Sequence, residues 1–197
     1  MIKVITQSIR QTLVWTIITG VLYPLAITTI AQLAFRGRAN GSLVERDGKI
    51  VGSAFLAQPF QGPRYFWPRP SAASYGTGPS GLTASSGSNH GPTSAQLQTD
   101  VRNNAKALRE AHKLAADSPV PADLVFASAS GVDPHISPAA ARFQIARVAA
   151  ARGMSEPQVR ALVDKFIEPP QWGFLGEARV NVLLLNLALD ASDAKRS

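Results

Sequence analysis

The sequence predicts an α+β protein with one N-terminal transmembrane helix followed by a single mixed α/β extramembrane domain. First, the run from Gln11 to Phe35 contains no charged residue, and it is long enough for a helix to cross a bilayer. Second, after this run, short strand-like stretches bounded by glycine and proline alternate with stretches of helical periodicity. Third, a chain of 197 residues has room for one real core beyond the helix. We therefore expect a short segment at 1–10, a transmembrane helix at 11–35 and a soluble domain at 36–197.

The apolar run has two alternative interpretations. A cleavable signal peptide has a shorter apolar stretch of roughly 7–15 residues and a small-x-small cleavage site, which the exit after Ala31 lacks. A buried core helix is disfavoured because the run is apolar nearly all round. The threonines fit a span, since each hydroxyl can bond a carbonyl in the preceding turn. Gly20 and Pro24 indicate a kink or a place where another helix packs closely; the alternative is that a lipid-exposed helix simply tolerates both residues.

Charge and composition limit the classes of partner and of site that this sequence predicts. The net charge is +7, and 18 of the 20 basic and all 13 acidic residues follow position 35, so the domain carries about +5. The basic residues are scattered without a recurring aromatic platform, so we do not expect nucleic acid as a partner. The absence of cysteine excludes disulfides and thiolate metal sites. Lys3 and Arg10 before the span balance Arg36 and Arg38 after it, so charge alone does not determine orientation.

The beginning of the domain predicts a hairpin and then an irregular segment. Asp47-Gly48 between two strand-prone runs is typical of a type I′ turn. The segment after it contains four prolines, which forbid a continuous ladder or helix. Within it, Tyr65, Phe66 and Trp67 need burial, in the domain core or, alternatively, against a partner.

The stretch 71–93 is small and polar. A phosphate-binding Walker loop requires Gly-Lys-Ser/Thr, and this stretch contains no lysine. Residues 86–92, with Asn89, form either an ordered loop that binds an anion or a partner, or a plain surface loop.

The second half predicts three helices and two strands. A capping box at Thr93–Gln96 predicts a helix that continues to about Asp117. A short apolar run, 124–128, predicts a buried strand. Ser137 and Pro138 begin a second helix that runs to Arg152 and ends at Gly153.

Ser155 and Gln158 form the capping box of the third helix. Residues 179–182 alternate as a half-buried strand does, and the leucines of 183–190 continue that strand or turn helical.

Two catalytic interpretations are weak. Ser130, Asp133 and His135 lie close in sequence, but hydrolytic triads are assembled from separate parts of a fold, and no Gly-x-Ser-x-Gly elbow is present. His90, His112 and His135 lack the close ligand spacing of a metal site. We therefore predict no catalytic residue and no metal site.

Four stretches together resemble one family. They read Tyr65-Phe-Trp-Pro-Arg-Pro-Ser-Ala72, Ser86-Gly-Ser-Asn-His-Gly-Pro-Thr93, Ser130-Gly-Val-Asp-Pro-His-Ile-Ser-Pro138 with Gln144, and Leu175-Gly-Glu-Ala-Arg-Val-Asn-Val-Leu-Leu-Leu-Asn-Leu-Ala-Leu-Asp190. The chain resembles the C subunit of the Kdp-type high-affinity potassium-transporting P-type ATPase (the KdpC family) over almost its full length.

The resemblance implies a non-catalytic subunit that assembles with three others: a channel-like potassium-translocating subunit, a P-type ATPase subunit and a small single-span subunit. It implies a catalytic chaperone that stabilises the complex and raises the ATP affinity of the hydrolysing subunit. It also implies a single-pass location in the bacterial inner membrane, with the domain on the outer, periplasmic side. The alternative is a directly nucleotide-binding regulatory subunit on the cytoplasmic side.

The resemblance also implies site residues. Gln144 matches a residue associated with nucleotide, although an amide on an alanine-rich helix is also typical of a packing residue. We expect no cofactor bound by this chain alone, with ATP reached through the complex. The candidate partner-interface residues are Tyr65, Phe66, Trp67, Arg69, Asn89, His135, Asn181 and Asn186.

Overall fold

The computed structural model describes residues 1–71 and 85–194, the side chain of residue 194 excepted. The chain divides into two compact units, Met1–Leu43 and Val44–Ser197. The mixed helix and sheet content of the second unit, after one N-terminal apolar helix, confirms the predicted fold class.

The first unit is dominated by one helix, Ile2–Ala34, which is long and apolar enough to cross a membrane. It comprises α1 (Ile2–Ile17), a π-helical turn (Ile18–Leu22) and α2 (Tyr23–Ala34). The helix therefore begins earlier than the predicted span and includes nearly all of residues 1–10. A short helix α3 (Arg36–Ala39) follows it.

The π-helical turn lies where Gly20 and Pro24 occur in the sequence. The amide of Tyr23 donates to the carbonyl of Ile18, five residues back, and Pro24 then occupies the first turn of α2. Pro24 lies inside the continuous helix Ile2–Ala34, where it has no N–H to donate to the preceding turn. The π-helical turn just before it is the kind of local adjustment by which membrane helices accommodate a proline. The threonine bonds predicted for the span are confirmed for Thr19 and Thr29, whose hydroxyls donate to carbonyls four residues back, and Thr6 makes the same bond nearer the start of the helix.

The second unit starts with a hairpin. Strands β1 (Leu43–Arg46) and β2 (Lys49–Ser53) pair across Asp47-Gly48. Asp47 has φ 52° and Gly48 has φ 73°, and a type I′ turn requires positive φ at both positions. The predicted hairpin is confirmed.

The remaining elements surround a three-stranded antiparallel sheet in the order β3-β5-β4. Its strands are β3 (His135–Ile136), β4 (Ile167–Glu168) and β5 (Arg179–Asn181), with His135 opposite Asn181 and Ile167 opposite Val180. The helices are α4 (Ala95–Ala111), α5 (Pro138–Phe143), α6 (Ile145–Arg152), α7 (Glu156–Lys165) and α8 (Val182–Ala194).

The core forms between these helices and the central strand. Its fully buried apolar side chains include Phe66, Ile145, Val148, Val159, Val163, Val180, Leu185 and Leu189. Phe66 comes from an irregular segment, so the core interpretation of the Tyr65-Phe66-Trp67 cluster is correct for Phe66, and Trp67 packs half-buried against the same core.

The structure corrects two predicted helices. Ser94, rather than Thr93, caps α4, which ends at Ala111 because the chain turns at His112 and Lys113, where φ is 55°. The helix predicted from Pro138 to Arg152 is interrupted at Gln144, whose ψ of −7° lies outside regular α-helical values. Its predicted ends, Ser137 and Gly153, are confirmed, as is the capping box of Ser155 and Gln158.

The predicted strand at 124–128 is wrong. Pro121 instead leads into a 3₁₀ turn, Ala122–Leu124, which buries Leu124 and Val125 through local hydrogen bonds. Ser128 then pairs with Ser71 as an isolated parallel bridge. The leucine-rich stretch 183–190, which periodicity left open, is helical and lies within α8.

Candidate functional site

The segment formed by residues 62–67, called the clamped segment here, is held by long polar side chains from α6, α8 and the α5–α6 junction. It has no regular secondary structure, so its backbone groups must find partners elsewhere. Those partners are the side chains of Gln144, Arg147, Arg152 and Asn186.

Gln144 holds the last residue of the clamped segment. Its amide oxygen accepts from the backbone N–H of Trp67 at 2.8 Å and from Nη2 of Arg147 at 2.6 Å. Its amide nitrogen donates to the carbonyl of Trp67 at 3.2 Å. The side chain is fully buried, so in this structure Gln144 is a packing residue whose amide pairs with the backbone of Trp67. Its contact with nucleotide stays a prediction.

Arg147 binds backbone carbonyls nearer the start of the clamped segment. Its guanidinium donates to the carbonyls of Pro63 at 2.8 Å and Tyr65 at 3.0 Å, and it lies 4.0 Å from the centre of the Trp67 ring. Burial lowers the pKa of Arg147 to about 10, so the group stays charged at neutral pH. Its Nε donates to Nε2 of His112, whose pKa is lowered to about 4 by burial and by this neighbouring cation.

Arg152 and Asn186 complete the clamp. The side chain of Arg152 is fully buried; it donates to the carbonyl of Arg64 at 2.6 Å and forms ion pairs with Asp190 and Asp193 of α8. Asn186 pairs with both backbone groups of Phe66, accepting from its N–H at 2.9 Å and donating to its carbonyl at 3.0 Å. The buried amide thus replaces the strand that Phe66 lacks.

A second polar cluster surrounds Asp133. Its carboxylate accepts from Arg69 at 3.1 Å and from the backbone N–H of His135 at 3.0 Å. Hydrogen bonds from the side chain and backbone of His135 and from Arg69 lower the pKa of Asp133 to about 2. An open cavity of about 290 Å³ lies beside this cluster. It is lined by Arg69, Asp123, Asp133, His135, Ile136, Ser137, Glu177, Ala178 and Arg179.

The stretches that carry the resemblance meet in this region. Phe66 of the first bonds Asn186 of the fourth, Arg69 pairs with Asp133 of the third, and His135 lies opposite Asn181 across β3 and β5. Gly87 of the second stretch packs so closely on the residue that precedes the third that a Cβ there would lie 2.7 Å from the carbonyl oxygen of Ala129.

The predicted interface residues divide by exposure. Phe66, Asn181 and Asn186 are buried and hold the domain together. Tyr65, Trp67, Arg69 and His135 are half-buried, and Asn89 is exposed with φ 54°. The contact of all eight with a partner stays a prediction.

Among the described residues, Ser130 and His135 are not joined by a hydrogen bond. The Ser130 hydroxyl lies 3.1 Å from that of Ser128 and accepts from the amide of Val132, and none of its hydrogen bonds within residues 1–71 and 85–194 involves His135. Over the same residues, no three His, Cys, Asp or Glu side chains are grouped to hold a metal ion.

The sequence pattern did not identify Arg147 as a site residue, and it identified Arg152 only as the end of a predicted helix. A signal was present: Gln144 and Arg147 are three residues apart, so they share one face of an otherwise alanine-rich helix. Arg152 lies in the last turn of α6, where a cation is favoured by the helix dipole.

The fold and site define a class: a protein with an N-terminal helix able to cross a membrane and an α+β domain in which four buried polar side chains bind the domain's own irregular segment. The sequence matches the family described as "K+-transporting ATPase, c chain" over residues 5–191. The chain belongs to this family.

Curated relatives agree. The chain is 54% identical to the potassium-transporting ATPase KdpC subunit of Methylococcus capsulatus over 194 residues, which cover 97% of this chain and 99% of the relative. It is 56% identical to the subunit of the same name from Sorangium cellulosum over 180 residues, covering 91% and 93%. It is 55% identical to that of Polaromonas naphthalenivorans over 178 residues, covering 90% and 89%.

Proposed function

We propose that the protein is a non-catalytic subunit of an ATP-driven high-affinity potassium uptake complex. It assembles and stabilises the complex and acts as a catalytic chaperone that raises the ATP affinity of the hydrolysing subunit. The observation that carries this proposal is the family match over residues 5–191, which includes both the apolar helix and the domain.

The proposed partners are a channel-like potassium-translocating subunit, a P-type ATPase subunit, a small single-span subunit and the lipid bilayer. One helix cannot surround an ion with the rings of carbonyls that select potassium, so the ion pathway belongs to a partner. The helix Ile2–Ala34 supplies the anchor that brings the domain to these partners.

We propose that the effect on ATP affinity is transmitted through subunit contacts. The burial of Gln144, with its amide bonded to Trp67 and Arg147, supports this route over direct contact. The test is the KM for ATP of the potassium-stimulated ATPase, measured in complexes prepared with and without this chain. A higher KM without the chain supports the chaperone role, and an equal KM contradicts it.

We propose that the domain lies on the outer, periplasmic side of the inner membrane. The chain has no cysteine, so Arg160→Cys, at an exposed position of α7, introduces a single label site. Labelling by an impermeant maleimide in cells with a permeabilised outer membrane supports this orientation. Labelling only after the inner membrane is opened contradicts it and favours a cytoplasmic nucleotide-binding regulator.

A further inference from the structure

The loop between β4 and β5 carries a rigid apolar tip. In this tip, residues 171–175, the amide of Gln171 donates to the carbonyl of Leu175 at 3.0 Å and the amide of Leu175 donates back at 2.9 Å. Trp172 is 85% exposed and Phe174 is 73% exposed, although both lie on backbone that these bonds fix in place. Two large aromatic side chains held out in solvent are unusual on a folded domain and mark interaction surfaces.

The backbone of the tip is strained by its own sequence. Trp172 has φ 54° and Gly173 has φ 85°, and the amide of Phe174 donates to the carbonyl of Gln171, as in a type I′ turn. Such turns favour Asn, Asp or Gly at the first central position, and a bulky residue with positive φ is an outlier. The same chain places Asp47-Gly48 in the corresponding turn of its first hairpin. A tryptophan here destabilises the free domain, which points to a use outside it.

The charge of the residues around the tip favours a protein over an anionic lipid surface as its partner. Residues 168–177 include Glu168 and Glu177 and contain no lysine or arginine. Glu168 is paired with Arg179 at 3.1 Å, and the tip itself contains no charged residue. Anionic lipid surfaces recruit segments rich in basic residues, so a tip without lysine or arginine is poorly suited to them. Aromatic anchors that insert into a pocket are the usual centre of protein–protein interfaces.

We infer that the tip is a docking element whose Trp172 and Phe174 insert into an apolar pocket on another subunit of the potassium pump. This inference rests on the proposed function, because it requires that the chain assembles with such subunits. It adds a specific surface that the family match does not assign.

The first test measures binding with variants that leave the fold intact. Trp172→Asn removes the aromatic group and gives the turn a residue suited to positive φ, so thermal stability stays equal or rises. Affinity for the rest of the pump falls about tenfold or more, as expected for an anchor residue. Phe174→Ala also lowers the affinity for the rest of the pump. Phe126→Ala, at a side chain 44% exposed elsewhere on the domain, leaves affinity unchanged. Unchanged affinity in Trp172→Asn overturns the inference.

The second test identifies the occupant. The photoreactive p-benzoylphenylalanine is placed at position 172, and at position 126 as the control, in full-length chain assembled in membranes. Cross-links from position 172 to a pump subunit identified by mass spectrometry support the inference. Cross-links only to lipid, only to a second copy of this chain, or to nothing overturn it.

The two failures are distinguishable. If the unmodified chain co-purifies with the pump subunits but no cross-link forms between position 172 and any of them, only the docking inference fails. If the unmodified chain co-purifies with no pump subunit, the proposed function fails and the inference falls with it.

Discussion

Arg147 donates a hydrogen bond from Nε to Nε2 of His112 across 3.2 Å. The imidazole accepts this bond, so it is neutral and carries its proton on Nδ1. Two aromatic rings flank the imidazole: its centroid lies 6.2 Å from that of Trp67 and 4.5 Å from that of Phe143. These rings exclude much of the water that a charged imidazole requires. A protonated His112 would place a second cation against Arg147 beside the clamped segment.

We therefore predict a pH-dependent stability. The pKa of His112 is about 4 in the folded protein, against the ordinary value of 6.5 that applies to the unfolded chain. As pH falls, the unfolded chain therefore takes up the proton first. The stabilisation is fully present above about pH 6.5 and is lost as pH falls to about 4. The measurement is the midpoint of thermal unfolding in detergent across this range, for wild type and for His112→Gln, which keeps an acceptor but does not titrate.

The variant is expected to show a shallower pH dependence between 4 and 6.5. Asp133 does not interfere, because its pKa falls from 3.8 to about 2 on folding, below this range. Identical slopes in the two proteins contradict the assignment to His112.

Removing the amide of Asn186 destabilises the domain. Asn186→Leu leaves the N–H and the carbonyl of Phe66 buried without their partner, at a cost of about 1–3 kcal/mol for each group. Asn103→Leu, at an exposed position of α4, is the control, with an expected change within about 0.5 kcal/mol. Denaturant unfolding of both variants makes the comparison, and equal effects would show that the amide does not hold the clamped segment.

The arginine–aspartate pairs Arg152–Asp190 and Arg142–Asp164 differ in burial rather than in length. Arg152 lies 2.9 Å from Asp190 with a fully buried side chain, and Arg142 lies 2.9 Å from Asp164 with both side chains about half exposed. Arg152→Ala removes a fully buried guanidinium and its hydrogen bond to the carbonyl of Arg64, while Asp190 and Asp193 keep Arg46 and Arg64 as partners. It is expected to lower the free energy of unfolding by about 1–3 kcal/mol. Arg142→Ala is expected to lower it by about 0–1 kcal/mol. A cost for Arg142→Ala that equals or exceeds that for Arg152→Ala contradicts this assignment.

Gln144→Ala separates a packing role from nucleotide contact. Loss of the amide leaves the backbone of Trp67 unpaired, so the melting temperature falls. At temperatures where the variant is folded and assembled, the KM for ATP of the complex is expected to stay at the wild-type value. A raised KM with an unchanged melting temperature is the opposite pattern, and it would show that Gln144 contacts nucleotide.

Patterns within one element predicted local structure well. The apolar helix, the Asp47-Gly48 turn and the ends at Ser137, Gly153 and Ser155 all follow from rules that act over a few residues. Periodicity did not decide 183–190, since a leucine-rich run buried on most sides satisfies either a strand or a helix.

The contacts of the clamp depend on tertiary packing, which the sequence did not reveal. The predicted strand at 124–128 failed because burial there is achieved by a 3₁₀ turn rather than by ladder pairing. The roles of Arg147 and Arg152 become apparent only when the segment around Tyr65 lies against α6, some 80 residues away in sequence. Local propensity contains no information about such a partner.

The central claim is that an anchored α+β chain of the K⁺-transporting ATPase c-chain family assembles with the other subunits of a potassium pump. The most direct measurement is purification of the tagged full-length chain from detergent-solubilised membranes, with the co-purifying proteins identified and quantified. The account predicts that a potassium-translocating subunit and a P-type ATPase subunit are recovered with the chain. Recovery of the chain as a stable, freely soluble monomer without detergent and without these subunits would contradict it.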